Sequence, residues 1–220
     1  MKNRSLVRKL AKEAEATSDP LQWFEKLYDK ADKEGISIPW DNGVANPNLV
    51  KFCERHHIRG EGRKALIIGC GFGHDAEYLA SIGFQVTAFD LSPSAIGEAK
   101  KRFPNSPVNY RVEDLFNLPN PKIGAHPFVI ESYTLQALAR ELVAKAIGVI
   151  ASLVETDGQL LVITQSRNES EAVGDLPRPL TRTDVLQFEN EGLQILEFED
   201  YTDDEDPPIR RFRILFQRTI

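Results

Sequence analysis

The spacing of hydrophobic residues changes near residue 63 and divides the chain into two regions. Before this point hydrophobic residues recur every three or four positions, as Leu6, Leu10 and Ala14 do, which is the spacing of one helix face. After it come short uninterrupted hydrophobic runs such as residues 65–68, which are typical of strands buried on both faces of a parallel sheet. The pattern therefore predicts helices first and an α/β sheet afterwards.

Three helices are predicted within residues 1–60. The second begins after Ser18-Asp19-Pro20, because these residues supply a helix cap and a proline suited to a first turn, and it ends at Gly35. The third begins at Asn46-Pro47 and runs to about His57. These helices are predicted to form an N-terminal cap on the remaining chain.

Residues 61–220 are predicted to form the main domain. Its first part alternates strands with helices, which produces βαβ units and hence a parallel sheet. The predicted strands are 65–68, 84–89, 108–112, 127–130 and 159–164, and the helices between them are 75–81, 92–103 and 137–154.

The last part of the chain has no helix between its two final strands. A helix over residues 181–191 stops at Gly192, and strands 193–201 and 210–218 are joined by the acidic loop 202–208. Strands joined directly pair antiparallel. The sequence thus predicts an α/β fold with seven strands, mostly parallel, an antiparallel C-terminal hairpin and helices on both faces.

Composition narrows the class of partner. The chain has 220 residues, a net charge of −6 and a pI of about 5.4. Proteins that bind nucleic acid usually carry a basic face, so no nucleic-acid partner is expected. Residues 1–16 are charged and lack the hydrophobic segment of a secretory signal peptide. No hydrophobic run approaches the roughly 20 residues of a membrane span. We expect a cytoplasmic monomer or homodimer without a membrane partner.

The two cysteines do not indicate a metal or a disulfide framework. Cys53 and Cys70 are far apart and form no CxxC unit, and neighbouring histidines do not complete a set of four ligands. The expectation is therefore no metal.

A glycine-rich segment carries the first chemical signal. Gly69, Gly71 and Gly73 lie between a buried strand and a helix, where glycines allow a sharp turn and a close approach of the backbone to a ligand. Asp90 ends the next strand, a position from which a carboxylate accepts ribose hydroxyls. These residues indicate a nucleoside-containing cofactor.

The glycine spacing distinguishes between cofactors. A dinucleotide fingerprint reads GxGxxG, but the third position counted from Gly69 is His74, and only the relaxed GxGxxA form fits from Gly71. Gly-x-Gly-x-Gly instead resembles motif I of class I S-adenosylmethionine-dependent methyltransferases. That family has a Rossmann-like sheet ending in an antiparallel strand, as the predicted hairpin does.

This resemblance implies S-adenosyl-L-methionine as cofactor and S-adenosyl-L-homocysteine as product. It implies that Asp114 binds the adenine amino group and that Leu115 lies against the ring. The cofactor contacts implied along the sheet are Gly69, Cys70, Gly71, Gly73, Asp75, Asp90, Leu91, Asp114, Leu115 and Glu131.

Further segments resemble the thiopurine and thiol/halide methyltransferase group. That group has a tryptophan–glutamate–lysine segment and a Trp-Asp-x-Gly-x-x-x-Pro loop that covers the cofactor, which implies cofactor contacts for Trp23 and Trp40. The matching segments are Trp23-Phe24-Glu25-Lys26, Pro39-Trp40-Asp41-Asn42-Gly43 with Asn46-Pro47, Thr134-Leu135-Gln136-Ala137-Leu138, and residues 174–180, where Asp175 and Leu176 depart from the pattern.

The resemblance implies methyl transfer to a small molecule, with a thiol sulfur as the first expectation and nitrogen or oxygen as the alternative acceptor atoms. A thiol or halide arrives as an anion, whereas an amine or hydroxyl needs a base. Glu131 and Tyr133 follow the fourth strand and are the catalytic candidates, and Tyr133 is also a candidate for the acceptor pocket. Arg140, Arg178 and Arg211 are candidates for recognising an acidic acceptor.

Three other functions stay open at this point. The fold also suits an NAD(P)-dependent oxidoreductase, although the broken GxGxxG disfavours it. A methyltransferase-like binding protein without turnover has the same pattern, because the fold needs few obligatory catalytic side chains. RNA methylation is disfavoured by the acidic charge.

Overall fold

The computed structural model describes residues 3–118 and 124–219. No helix in these two stretches is long and apolar enough to cross a membrane. The helices are α1 (Arg4–Glu15), α2 (Gln22–Glu34), α3 (Pro47–Arg55), α4 (His74–Ser81), α5 (Pro93–Arg102), α6 (Arg140–Leu153) and α7 (Arg182–Asn190). The strands are β1 (Lys64–Ile68), β2 (Gln85–Asp90), β3 (Asn109–Val112), β4 (His126–Ser132), β5 (Val154–Gln165), β6 (Leu193–Thr202) and β7 (Arg210–Arg218).

The seven strands form one sheet in the order β3-β2-β1-β4-β5-β7-β6. Neighbouring strands from β3 to β5 are parallel, while β7 is antiparallel to both β5 and β6. The predicted Rossmann-like sheet with its C-terminal hairpin is confirmed. The strand order reverses between β1 and β4, and in open α/β sheets the carboxyl ends at such a point border a binding crevice.

Hydrophobic residues on both faces of the sheet anchor the helices. Because successive side chains of a strand point to opposite faces, Ile67 and Ile130 pack with α3, α4 and α5, whereas Ile68 and Val129 pack with α6 and α7. The central strands are therefore buried on both sides, as their uninterrupted hydrophobic runs predict.

The N-terminal helices divide between two environments. Helices α1 and α2 pack on each other around Leu10, Trp23 and Leu27, and this core also includes Phe72 and Ala95. Helix α3 instead packs into the core beneath the sheet. The boundary predicted at residue 60 stays a prediction, and the packing groups α3 with the main domain.

Helix α6 begins at Arg140, three residues later than predicted, and a 3-10 turn at Leu135–Ala137 precedes it. The carboxylate of Glu131 accepts the backbone N–H groups of Thr134 and Leu135. The backbone oxygen of Gln136 accepts from the N–H of Arg178. These bonds replace the helical pairing that the hydrophobic pattern suggested.

Strand β5 begins at Val154, earlier than the predicted residue 159. Val154 pairs with His126, and the register then shifts at a bulge before Phe128 pairs with Gln159. Asp157 has a φ of 63° there. The Asp157-Gly158 pair thus forms an irregularity within the strand instead of a turn before it.

Candidate functional site

A cavity of about 450 Å³ opens at the carboxyl ends of β1, β2 and β4. This is the point where the strand order reverses, and the volume lies in the usual range for small-molecule sites. Its lining combines residues of the sheet, such as Gly69, Asp90 and Tyr133, with Phe24 of α2 and Trp40 of the loop after α2. The site is therefore enclosed between the sheet and the N-terminal helices.

The glycine segment has two different roles. Gly69 lines the cavity and has a φ of 63°. Gly73 has a φ of 88° and lies away from the cavity, where a Cβ would collide with the hydroxyl of Tyr110. Only the first glycine of the motif therefore faces the ligand space, and the third allows close packing between α4 and β3.

Asp90 holds the glycine turn and also lines the cavity. Its Oδ2 accepts the N–H of Gly71 at 2.9 Å, and its Oδ1 accepts the N–H of Ser92 at 2.9 Å. Burial raises the pKa of Asp90 to about 6. Each carboxylate oxygen retains a lone pair, so the group can still accept a ligand hydroxyl at neutral pH. Leu91 lines the cavity beside it.

The ends of β3 and the following turn form an apolar slot with an acidic edge. Leu115, Phe116 and Leu138 line it. Asp114 accepts the N–H of Phe116 at 2.9 Å and caps the 3-10 turn, and it also accepts from Asn117 at 2.7 Å. Hydrophobic side chains beside a carboxylate suit a heteroaromatic ring that carries a hydrogen-bond donor.

Aromatic residues of α2 and the loop after it cover the cavity. The indole N–H of Trp40 donates to the hydroxyl of Tyr28 at 2.9 Å, and both rings line the cavity. Trp23 lies behind them, 2% exposed and stacked on Phe24 with ring centroids 3.9 Å apart. The structure thus places Trp23 in the core of the cap, where it supports Phe24 and Trp40 rather than the cavity surface.

The two predicted catalytic residues differ in position. Tyr133 lines the cavity with a φ of 66°, and its hydroxyl accepts from Asn48 at 3.1 Å and donates to Asn46 at 3.4 Å. Glu131 is fully buried behind the lining, and one of its oxygens holds the backbone N–H of Thr134 at 2.8 Å. Burial raises the pKa of Tyr133 to about 12 and that of Glu131 to about 7.

Cys70 and Asp75 lie beside the glycine turn but away from the cavity lining. Asp75 accepts the backbone N–H of Asn46 at 2.7 Å, which fixes the start of α3 against α4. Burial raises the pKa of Asp75 to about 6 and that of the Cys70 thiol well above its usual range. Both residues are therefore placed to hold the turn. Among the described residues no cluster of His, Cys, Asp or Glu could hold a metal ion.

The three predicted acceptor-binding arginines are not brought together. Arg140 pairs with Asp184 at the start of α7, and Arg178 pairs with Glu15 of α1. Both pairs lie outside the cavity lining and tie elements together. Arg211 of β7 lines the cavity.

A model of the thiopurine S-methyltransferase family matches residues 26–213. The chain belongs to this family. The match begins within α2 and ends within β7, so it covers α3 to α7 and β1 to β6, and the resemblance predicted from the sequence is confirmed.

The curated relatives of this family member align over a shorter stretch. Thiocyanate methyltransferase 1 of Arabidopsis thaliana is 36% identical over 93 residues, which are 40% of this chain and 40% of the relative. The aligned stretch thus spans about two fifths of that relative's length.

Solved structures with the same fold carry the demethylated cofactor. The 1,6-didemethyltoxoflavin-N1-methyltransferase of Burkholderia thailandensis, with bound S-adenosylhomocysteine, has a TM-score of 0.70 and 14% identity over 90% of this chain and 88% of that one. The N-methyltransferase NodS of Bradyrhizobium japonicum, also with S-adenosylhomocysteine, has a TM-score of 0.64 and 17% identity over 98% and 99%. At these identities the likeness concerns the fold.

Several cavity residues of this family member were not predicted from the sequence. Leu21, Phe24 and Tyr28 line the cavity from one side of α2 and its start. Their spacing of three and four residues is that of one helix face, a signal that was available. Gln136 and Gln165 also line the cavity. Gln136 lies in a segment that resembles the family but was not singled out, and no motif marks Gln165, whose N–H donates to Oε1 of Gln136 at 2.6 Å.

Proposed function

We propose that this protein transfers a methyl group from S-adenosylmethionine to a small molecule. The observation that carries the proposal is the carboxylate of Asp90 beside Gly69 in the lining of a cavity at the β1/β4 reversal. Family membership and the S-adenosylhomocysteine in structures of the same fold support it.

The lining residues fit this cofactor. Asp90 would accept the ribose hydroxyls, and Asp114 with Leu115 would hold the adenine. Gly69 leaves the turn open, because a side chain there would fill the space in front of Thr134. The rings of Tyr28 and Trp40 would attract a positive sulfonium.

When bound, this cofactor supplies an electrophilic methyl group on a positively charged sulfur. The protein's part is then to align the acceptor and keep water out, since an in-line displacement gains most from positioning. Trp40 and Phe24 cover the cavity from the cap side, and Tyr133 borders it from the sheet side.

A thiol sulfur is the proposed acceptor atom. The hydroxyl of Tyr133 is engaged with two asparagines and its pKa is raised to about 12. Glu131 lies behind the lining and holds the backbone of Thr134. A thiol suits such a site because it can arrive already ionised. The names of the curated thiocyanate and thiol methyltransferase relatives support the same choice.

Calorimetry with S-adenosylmethionine and S-adenosylhomocysteine tests the cofactor. We expect micromolar binding of both, and a loss of roughly tenfold or more in Asp90→Asn, because a hydrogen bond to a charged group contributes about 1.5–3 kcal/mol. Glu189→Gln, an exposed change on α7, should leave the affinity unchanged. Binding of NADH instead of either compound would favour the oxidoreductase.

Turnover is measured separately with methyl-labelled cofactor and a panel of thiols, amines and phenols. Labelled thioether as the main product supports the sulfur acceptor. Preferred labelling of an amine or phenol would overturn sulfur while leaving methyl transfer intact. Cofactor binding without transfer to any panel member would favour a binding protein.

A further inference from the structure

The cavity has a second end, bordered by β4, β5 and β7, that the proposed cofactor contacts do not use. Asp90 and Asp114 lie at the ends of β2 and β3, on one side of β1. Tyr133, Gln165 and Arg211 line the cavity from the other side. Neighbouring strands lie about 4.8 Å apart, so β7 is roughly three strand spacings from β1. If the proposed function holds, this end receives the methyl acceptor.

Arg211 is the dominant polar group at this end. It is 1% exposed, and its guanidinium carbon lies 4.6 Å from the centre of the Tyr133 ring. Nε donates to Asp203 at 2.5 Å, and Nη2 donates to Glu205 at 2.6 Å. Nη1 is buried and finds no hydrogen-bond partner among the described residues. A buried donor without a partner costs free energy, which a ligand atom at this position would recover.

The charge around Arg211 decides what kind of ligand atom fits. Two carboxylates, Asp203 and Glu205, already face its single positive charge. Asp206, next to Glu205 in the chain, adds another carboxylate to the lining. Three carboxylates therefore surround the guanidinium of Arg211, so the end carries no positive excess that would attract an anion.

We propose that Nη1 of Arg211 binds an uncharged hydrogen-bond acceptor, such as a carbonyl oxygen, on the molecule that is methylated. This revises the expectation of an acidic acceptor and rests on the proposed function. The acceptor class is a thiol whose only ionisable group is the reacting sulfur. Its proton passes to water, the thiolate lone pair forms the new S–CH₃ bond, and the bond between methyl and cofactor sulfur breaks with its electron pair remaining on that sulfur.

Three matched thiols test the proposal. They are 2-mercaptobenzamide, 2-mercaptobenzoate and 2-methylbenzenethiol, which place a neutral acceptor, an anion or a methyl group beside the sulfur. We expect wild-type kcat/KM to be at least about tenfold higher for the amide than for either of the others, because leaving a buried donor unpaired or adding an uncompensated charge is penalised. A preference for the benzoate would overturn the proposal.

Arg211→Lys retains the positive charge near Asp203 but removes Nη1. The preference for the amide over 2-methylbenzenethiol should shrink to within about threefold, because the donor that distinguishes the two thiols is gone. Because both proteins are measured with the same thiols, the intrinsic reactivity of each thiol cancels when the preference of the wild type is compared with that of the variant. Arg210→Lys, which alters the neighbouring arginine paired with Asp200, should keep the wild-type preference. An equal loss for all three thiols in Arg211→Lys would show a structural role only.

Calorimetry separates this proposal from the proposed function. Wild-type protein saturated with S-adenosylhomocysteine should bind benzamide more tightly than benzoate. This measurement does not require Arg211→Lys to fold. Equal or tighter binding of benzoate would overturn the role of Arg211 and leave methyl transfer standing. Failure to bind S-adenosylhomocysteine would instead overturn the proposed function.

Discussion

At the scale of single residues, Gly69 joins the backbone turn to the cavity wall. Its φ of 63° is in the left-handed region, and a Cβ there would collide with Oγ1 of Thr134. Glycine adopts this φ without strain and avoids the collision, because it has no side chain. The same hydroxyl of Thr134 donates to the carbonyl of Ile68 at 3.2 Å, so the collision would disturb the end of β1 as well.

Gly69→Ala should therefore lower the free energy of unfolding by at least about 1–2 kcal/mol, the usual cost of a left-handed residue with a side chain. Urea unfolding measures this change. Thr134→Ala removes the colliding hydroxyl, so the double variant should lose less than the sum of the two single changes. Additive losses would show that the collision contributes nothing.

The buried carboxyl of Glu131 should make stability depend on pH. Burial raises its pKa from 4.5 to about 7. The folded protein then holds a proton that the unfolded chain releases between these values, so stability from this group falls as pH rises from 5 to 8. Glu131→Gln removes the titrating group. The free energy of unfolding of the variant minus that of the wild type should therefore increase by about 2 kcal/mol as pH rises from 5 to 8.

Thermal unfolding of both proteins at pH 5 and pH 8.5 checks this. The neighbouring acids Asp75 and Asp90, whose pKa values burial also raises to about 6, remain in both proteins and cancel in the difference. A stability difference that does not change with pH would show that Glu131 titrates at its ordinary value.

Residues at strand ends were predictable from the sequence, whereas the roles of the arginines were not. Asp90, Leu91 and Asp114 follow recognisable buried strands, and parallel strands place their carboxyl ends at one edge. The role of an arginine depends instead on which carboxylate the fold brings near it. Arg140 and Arg178 satisfy Asp184 and Glu15, pairings that no local pattern indicates.

At the scale of elements, α2 is fastened to the start of α5 by Glu25. Its carboxylate accepts from the hydroxyl of Ser92 and, at 2.7 Å, from the hydroxyl of Ser94. It also accepts the backbone N–H of Ser94 at 3.2 Å. Free N–H groups and the helix dipole make the first turn of a helix a favourable place for a carboxylate. This contact holds the cap against the sheet domain.

Glu25→Ala should lower the free energy of unfolding by about 1–2 kcal/mol, because it leaves these donors without their acceptor. It should also speed limited proteolysis within α1 and α2, which lose an attachment. Lys26→Ala, an exposed neighbour on the same helix, should change neither. Unaltered proteolysis of the cap in Glu25→Ala would contradict the role given to this contact.

Element boundaries show where local signals stop being sufficient. Proline and serine at 92–93 predict the start of α5, and Ser92 does cap it. The start of α6 depends on Glu131 and on the backbone bond between Gln136 and Arg178. Arg178 is distant in sequence and Glu131 binds the backbone through its side chain, so hydrophobic periodicity alone extends the helix too far towards its N-terminus.

At the scale of the whole molecule, the alternation of strands and helices was enough to predict the parallel sheet and the hairpin. The position of α1 and α2 could not be predicted from their own sequence, because the pattern of an amphipathic helix does not say which apolar surface it packs against. Here that surface is completed by Phe72 and Ala95 beside the glycine turn. The cavity consequently has one wall from the cap and another from the sheet.

A ligand that contacts both walls should stabilise the cap together with the sheet. With S-adenosylhomocysteine at 100 times its Kd, we expect the free energy of unfolding to rise by about 2.7 kcal/mol. Amide hydrogen exchange should slow at the ends of β1 and β2 and also in α2, because Phe24 and Tyr28 border the same cavity as Gly69 and Asp90. Asp90→Asn at the same ligand concentration should show a smaller change in both regions. Protection confined to the strand ends, with α2 exchanging as in the free protein, would show that the ligand binds without the cap.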